Sequence, residues 1–243
     1  MKKRKTILRI LSTLMFAPFF LISCINDPEP PILDALPDVF IQKISEGGEE
    51  KYALAFWVFG NKELESVSID GPEGGSWDLE GDEVNPQIFS LFPADEDYTP
   101  GMPPAGIYEF TVTSTQEGEP PMKIDDELED EELAMATIDS IKFESSQVKT
   151  YWETVTGADN YRVRLYNAEG EIIFLSSQLA DNKTDYAFSV TDDGWAGSNS
   201  IPQTGDNCRL ELLAILYESG AGTNKDYNIQ CISIATEEIV WEL

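Results

Sequence analysis

The 243 residues are 42% hydrophobic and 25% charged, a composition that suits one or two globular domains and excludes wholesale disorder and a multi-span membrane protein. Asp and Glu number 45 against 16 Lys and Arg, a formal net charge of −29, and a field of that sign argues against nucleic acid or bare anionic lipid as a partner. The sequence contains no histidine, so chemistry here would rest on carboxylates, hydroxyls or thiols.

Residues 1–23 place Lys2, Lys3, Arg4, Lys5 and Arg9 ahead of an apolar run from Ile10 to Ile22, without an acid. A basic start followed by a short apolar run broken at Pro18 predicts a secretory signal, since a membrane span needs about 20 uninterrupted apolar residues. The segment closes on Leu21-Ile22-Ser23-Cys24, which resembles the lipobox of bacterial lipoproteins. That resemblance implies an N-terminal Cys24 carrying acyl chains, two of which suffice for stable anchoring. It also implies the outer membrane, because Ile25 stands where an aspartate marks inner-membrane retention. Asp27 and Glu29 are similar to the acidic surface-export signals of Bacteroidetes lipoproteins. Pro28, Pro30 and Pro31 make 24–33 an extended tether.

Past the tether, Tyr52 to Phe59 predicts an apolar strand, and Gly106 to Val112 predicts another with Tyr108, Phe110 and Val112 on one face. Between them, Pro72, Pro86, Pro93, Pro100, Pro103 and Pro104 remove ladder donors, so much of 71–105 is expected to be loop. Residues 34–122 look like an immunoglobulin-like sandwich. Seven acids then fall between Asp125 and Glu132, and 123–135 is expected to be a solvated acidic linker. Calcium would want turn residues interleaved among such acids, which this run lacks.

In 136–243, Val148, Thr150 and Trp152 alternate, Gly157, Asp159 and Asn160 signal a turn, and Tyr161, Val163 and Leu165 alternate again, predicting an antiparallel hairpin. Further strands are expected at Glu171–Leu175, Asp185–Val190, Cys208–Tyr217 and Tyr227–Ala235. The pattern Trp152-x-x-Val155-x-Gly157-Ala158-x-x-Tyr161-x-Val163-x-Leu165-Tyr166 resembles the B and C strands of fibronectin type III domains, which implies a Trp152 buried between sheets. Cys208-x-Leu210-x-Leu212-x-Ala214 resembles that family's F strand, with Cys208 in place of its usual tyrosine. The expected fold is therefore all-β, two consecutive immunoglobulin/fibronectin III-like β-sandwich domains after a signal peptide.

Function is less legible. Trp77, Tyr98 and Trp195, in Gly- and Pro-rich stretches alongside Phe92, are candidate ligand-contact rings, each offering a flat apolar face with a polar edge. Glu80, Asp82 and Glu83, or Asp95, Glu96 and Asp97, supply the carboxylates a glycosidase needs, but two small sandwiches offer no obvious cleft, so no enzyme is expected. Cys208 and Cys231 allow either a disulfide or two separate buried thiols; the run from Gly222 to Asp226 centres the connecting loop late and shifts the pair out of register. Asp139-Ser140-Ile141 resembles a Bacteroidetes O-glycosylation motif. No cofactor and no metal centre is expected. The reading is a lipid-anchored cell-envelope module, non-catalytic, that binds or displays for a glycan or protein ligand. A fimbrillin-like structural subunit assembling by strand exchange is the alternative, weakened by the lack of Arg or Lys in 24–42; a carboxylate hydrolase is the third.

Overall fold

Residue alternation turns into strands along both halves of the chain. The first half supplies β1 (Ala35–Glu46), β2 (Glu49–Gly60), β3 (Leu64–Asp70), β4 (Ser76–Asp78), β5 (Glu80–Gly81), β6 (Ile88–Leu91), β7 (Gly106–Ser114) and β8 (Met122–Leu128). The second supplies β9 (Ile138–Glu144), β10 (Gln147–Trp152), β11 (Asn160–Tyr166), β12 (Ile172–Leu175), β13 (Leu179–Ala180), β14 (Asp185–Phe188), β15 (Asn207–Tyr217) and β16 (Ile229–Val240). The computed structural model describes residues 31–131, 133–197, 200–222 and 227–243. Leu33–Leu243 form one compact unit.

Among the described residues, three sheets build it. The longest runs β12-β11-β15-β16-β1-β2-β6-β5, with β13 also pairing β11; a second runs β4-β3-β7-β8 and a third β14-β10-β9. Ring contacts show the two smaller sheets lying on the long one. Phe56 of β2 meets Tyr108 and Phe110 of β7 at 5.9 and 6.3 Å between centroids. Trp152 of β10 meets Tyr161 of β11 at 5.5 Å, and Phe174 of β12 stacks on Phe188 of β14 at 4.2 Å. The all-β sandwich expected from the alternation is thus present, with Trp152 only 2% exposed.

The joint between the halves is a strand the sequence does not announce. β1 pairs antiparallel with β2 along its whole length, from Ala35↔Gly60 to Glu46↔Glu49, through a two-residue turn whose Gly47 and Gly48 both take positive φ, +62° and +85°, as a primed hairpin turn requires. On its other edge β1 pairs parallel with β16, from Ile41↔Cys231 to Ile44↔Ile234. One sheet therefore carries strands from both halves, and one apolar cluster runs from Leu33 to Trp241.

Two expectations need correction. The hairpin predicted for 148–166 does not form, because β10 pairs β9 and β14 while β11 pairs β12, β13 and β15. The turn between them crosses from one sheet to the other, fixed where Val155 N donates to the Tyr161 hydroxyl at 2.7 Å. Nor is 123–135 a solvated linker. Residues 122–128 are β8, paired with β7, and pleating sends Lys123, Asp125 and Glu127 outward while Ile124, Asp126 and Leu128 turn in. Downstream, Leu133 and Ala136 are buried, and buried side chains satisfy that backbone. Lys43 Nζ donates to Leu133 O at 3.1 Å, Ala136 N donates to Ser233 Oγ at 2.8 Å, and the Gln230 amide bonds both N and O of Glu129.

Candidate functional site

Upstream of Ile41, β1 leaves its ladder with β16, and side chains take over that edge. Asp126, turned inward on β8, accepts the Val39 N–H on Oδ2 at 2.7 Å. Asp38, 1% exposed, accepts the Ile229 N–H on Oδ1 at 3.1 Å and so holds the start of β16. Glu218, the residue after β15, accepts the Asn228 amide on Oε2 at 3.1 Å, and its own N donates to Asn228 O at 3.0 Å. Asn228 sits in the left-handed region at φ 61°, which lets its side chain fold back locally. These bonds bring one oxygen each of Asp38, Asp126 and Glu218 within 4.8 Å of one another.

The electrostatics are lopsided. No ion pair among the described residues reaches the three acids, and Asp38 Oδ2 and Glu218 Oε1 are buried without a hydrogen-bond partner. Burial, then the neighbouring Asp126 charge, pushes the Asp38 carboxyl up to about 9 against the pull of the Ile229 N–H. Burial likewise raises Asp126 to about 6, opposed by the Val39 N–H, and raises Glu218, opposed by the Asn228 amide. Glu129, whose Oε2 accepts the Ser219 N–H at 3.0 Å, adds further negative charge beside Glu218. Such a group holds protons or a hard cation. Asp38 is too deeply buried to meet a sugar ring.

The residues singled out from the sequence lie elsewhere. Cys24 falls outside the described residues. Trp77 belongs to β4, not a loop, and packs inward on Phe56 at 5.0 Å and Tyr108 at 5.9 Å. Trp195 rests on Phe174, Phe188 and Trp241 at 5.1, 6.1 and 5.8 Å, with its indole N–H donating to Ser189 O at 3.1 Å. Gly194 at φ +113° places it there, since a Cβ would come 2.5 Å from Leu175 O. Both indoles are side walls of the core, so the expectation of displayed rings is corrected for them: a sandwich with short strands closes its open ends with loop aromatics. Tyr98 lies on the long sheet, its hydroxyl donating to Gln42 Oε1 at 2.7 Å, and burial lifts it to about 12.

Cys208 and Cys231 are both buried and free; they face Ile239 and Leu216 across the β15–β16 ladder, and burial pushes the thiols up to about 11 and 12. The disulfide alternative is thereby removed by register. Asp82 and Asp97 accept local backbone N–H groups as turn caps, and Asp139-Ser140-Ile141 lies on β9. A reading by residue type missed Asp38 and Glu218. The available signal was an acid inside the otherwise uncharged, largely apolar stretch Leu36-Pro37-Asp38-Val39-Phe40-Ile41 and another directly after the apolar β15, since acids are buried only for a reason.

One further surface emerges. Trp57 and Phe59 of β2 stack at 6.2 Å with an 11° interplanar angle. Both are half-buried and share a face with Leu36, which is 45% exposed.

The strand pairing and ring contacts define an all-β sandwich protein. No protein-family model and no curated protein matches the chain. Among solved structures it is similar to the two-fibronectin type III domain segment of chicken tenascin, at 12% identity and TM-score 0.29, covering 86% of this chain and 100% of that one. The chicken CNTN1 FN1-FN3 domains align at 12% identity and TM-score 0.31, covering 88% and 68%. The BSP domain of a biofilm associated protein aligns at 13% identity and TM-score 0.25, covering 84% and 29%.

Proposed function

We propose that this chain is a non-catalytic binding or display module, held at a bacterial outer membrane, on its periplasmic or its surface side, by lipid on Cys24, and that it meets a glycan or protein through the β1–β2 face. The stacked Trp57–Phe59 pair carries the reading. It is a flat aromatic surface partly open to solvent and belongs to neither apolar cluster of the interior. Paired rings beside an exposed leucine suit stacking on a sugar or anchoring a protein side chain. Trp77 and Trp195 are committed to packing and are not assigned this role.

Palmitate labelling with membrane fractionation tests the anchor: Cys24→Ser is expected to abolish labelling, and equal labelling of both proteins would sink it. Glycan and protein arrays at two salt concentrations test the surface. Trp57→Ala and Phe59→Ala are expected to weaken binding by about 1 kcal/mol or more each, whereas unchanged binding by both removes the face from the reading.

A further inference from the structure

We infer that Asp38, Asp126 and Glu218 form a binding site for a divalent cation of the calcium type, which ties the β15–β16 hairpin to β1 and β8. The gathering of acids alone would not carry this. Asp38 is 1% exposed and its Oδ2, like Glu218 Oε1, is buried with no donor. A buried oxygen without a donor is costly, and a cation supplies the missing positive charge.

The arrangement also has the form of a supported ligand set. Each carboxylate is oriented by a donor, Asp38 by Ile229 N–H, Asp126 by Val39 N–H and Glu218 by the Asn228 amide, and on Asp38 and Glu218 the other oxygen has no partner and is left for an ion. Such outer bonds orient metal ligands in advance. The grouped oxygens lie within 4.8 Å of one another, and two oxygens on one Ca²⁺ at 2.3–2.6 Å are separated by at most about 5 Å. Mg²⁺, at 2.0–2.1 Å and with strict octahedral geometry, would need them within about 4 Å. Water completes the six to eight oxygens that calcium takes. The ligands come from three separate elements, and the acidic run 125–132 contributes one of them, Asp126.

The test uses the full-length chain in detergent, stripped with a chelator. Ca²⁺ is followed by calorimetric melting, and Tb³⁺ by its emission, which Trp57, paired directly opposite Asp38, is placed to sensitise. At 10 mM Ca²⁺ and a dissociation constant of about 0.1–1 mM, Tm is expected to rise by about 3 to 10 °C. Tb³⁺ emission is expected to saturate and to be displaced by Ca²⁺. Asp126→Asn and Glu218→Gln, each judged by itself, are expected to melt cooperatively without metal and to lose most of the calcium shift and the saturable emission. Removing two exposed acids, Glu80→Gln with Glu83→Gln, is expected to leave both intact. Absence of a shift in the parent protein, an undiminished shift in a folded Asp126→Asn or Glu218→Gln variant, or its loss in the surface variant would overturn the site.

Discussion

The two ends of β1 bury charge in opposite ways. Near its C-terminal end Lys43 is 5% exposed, with Nζ 2.8 Å from Glu50, 3.1 Å from Leu133 O and 5.4 Å from the centre of the Tyr52 ring. Burial alone would lower its pKa, yet the Glu50 hydrogen bond and the Tyr52 contact hold it above the ordinary lysine value. Upstream on the same strand, Asp38 meets two more acids and, among the described residues, no base. A desolvated charge is tolerable where an opposite partner is built in. Where none is, a proton or an ion must take that place, and the fold then answers to solution conditions.

That contrast can be measured against an ordinary core residue. Trp152→Ala, which empties a neutral site between sheets, is expected to lose about 3 to 5 kcal/mol in denaturant unfolding; a loss under 1 kcal/mol would mean the core tolerates voids and gives no yardstick. Asp38→Asn is expected to act in the other direction. The Asp38 carboxyl stands at about 9 in the fold against an ordinary aspartate value of 3.8, so the native state holds the proton more tightly. Its contribution is complete below about pH 4 and is lost as pH climbs through 9. In chelator at pH 8 the Asn variant should therefore be more stable by about 2 to 4 kcal/mol, with the gain vanishing near pH 4. A constant difference across that range would separate the effect from titration.

Lys43→Met should lose about 1 to 3 kcal/mol, because Leu133 O is left without a donor while Glu50, with a side chain 47% exposed, regains water. If Lys43→Met were neutral, the two ends of β1 would not differ as described. Smallest is Tyr98→Phe, which removes one hydrogen bond to Gln42 and is expected to cost about 0.5 to 1.5 kcal/mol, visible as a slight drop in Tm.

Local patterns were readable where structure is local. Trp152, Tyr161 and the long β15 declare themselves by alternation bounded by Gly, Asp and Asn, and their burial follows. β1 gave no such sign. Pro37 interrupts it, Val39, Phe40 and Ile41 are apolar on both faces, and its partner Cys231 lies about 190 residues from Ile41. The candidate site was hidden for the same reason, since Asp38 and Glu218 meet only through that pairing. Asp126 was one acid among seven until the pleat of β8 separated it from Asp125 and Glu127. Sequence composition assigned Trp77 and Trp195 to surface loops because it counts glycines and prolines, not the rings across the sandwich.

The place of β1 between β2 and β16 also sets an order in time. A chain made from its N-terminus forward closes the β1–β2 hairpin early, whereas β16 arrives after β15 and every strand before it. Until then the second edge of β1 offers unpaired N–H and C=O groups, the exposure that invites mispairing between chains. The middle of the longest sheet is thus the last part to be completed, through a contact of very high sequence separation that slows folding. Damage to β16 is consequently felt in the first sandwich half as well as the second, because the missing strand is the neighbour that β1 has been waiting for.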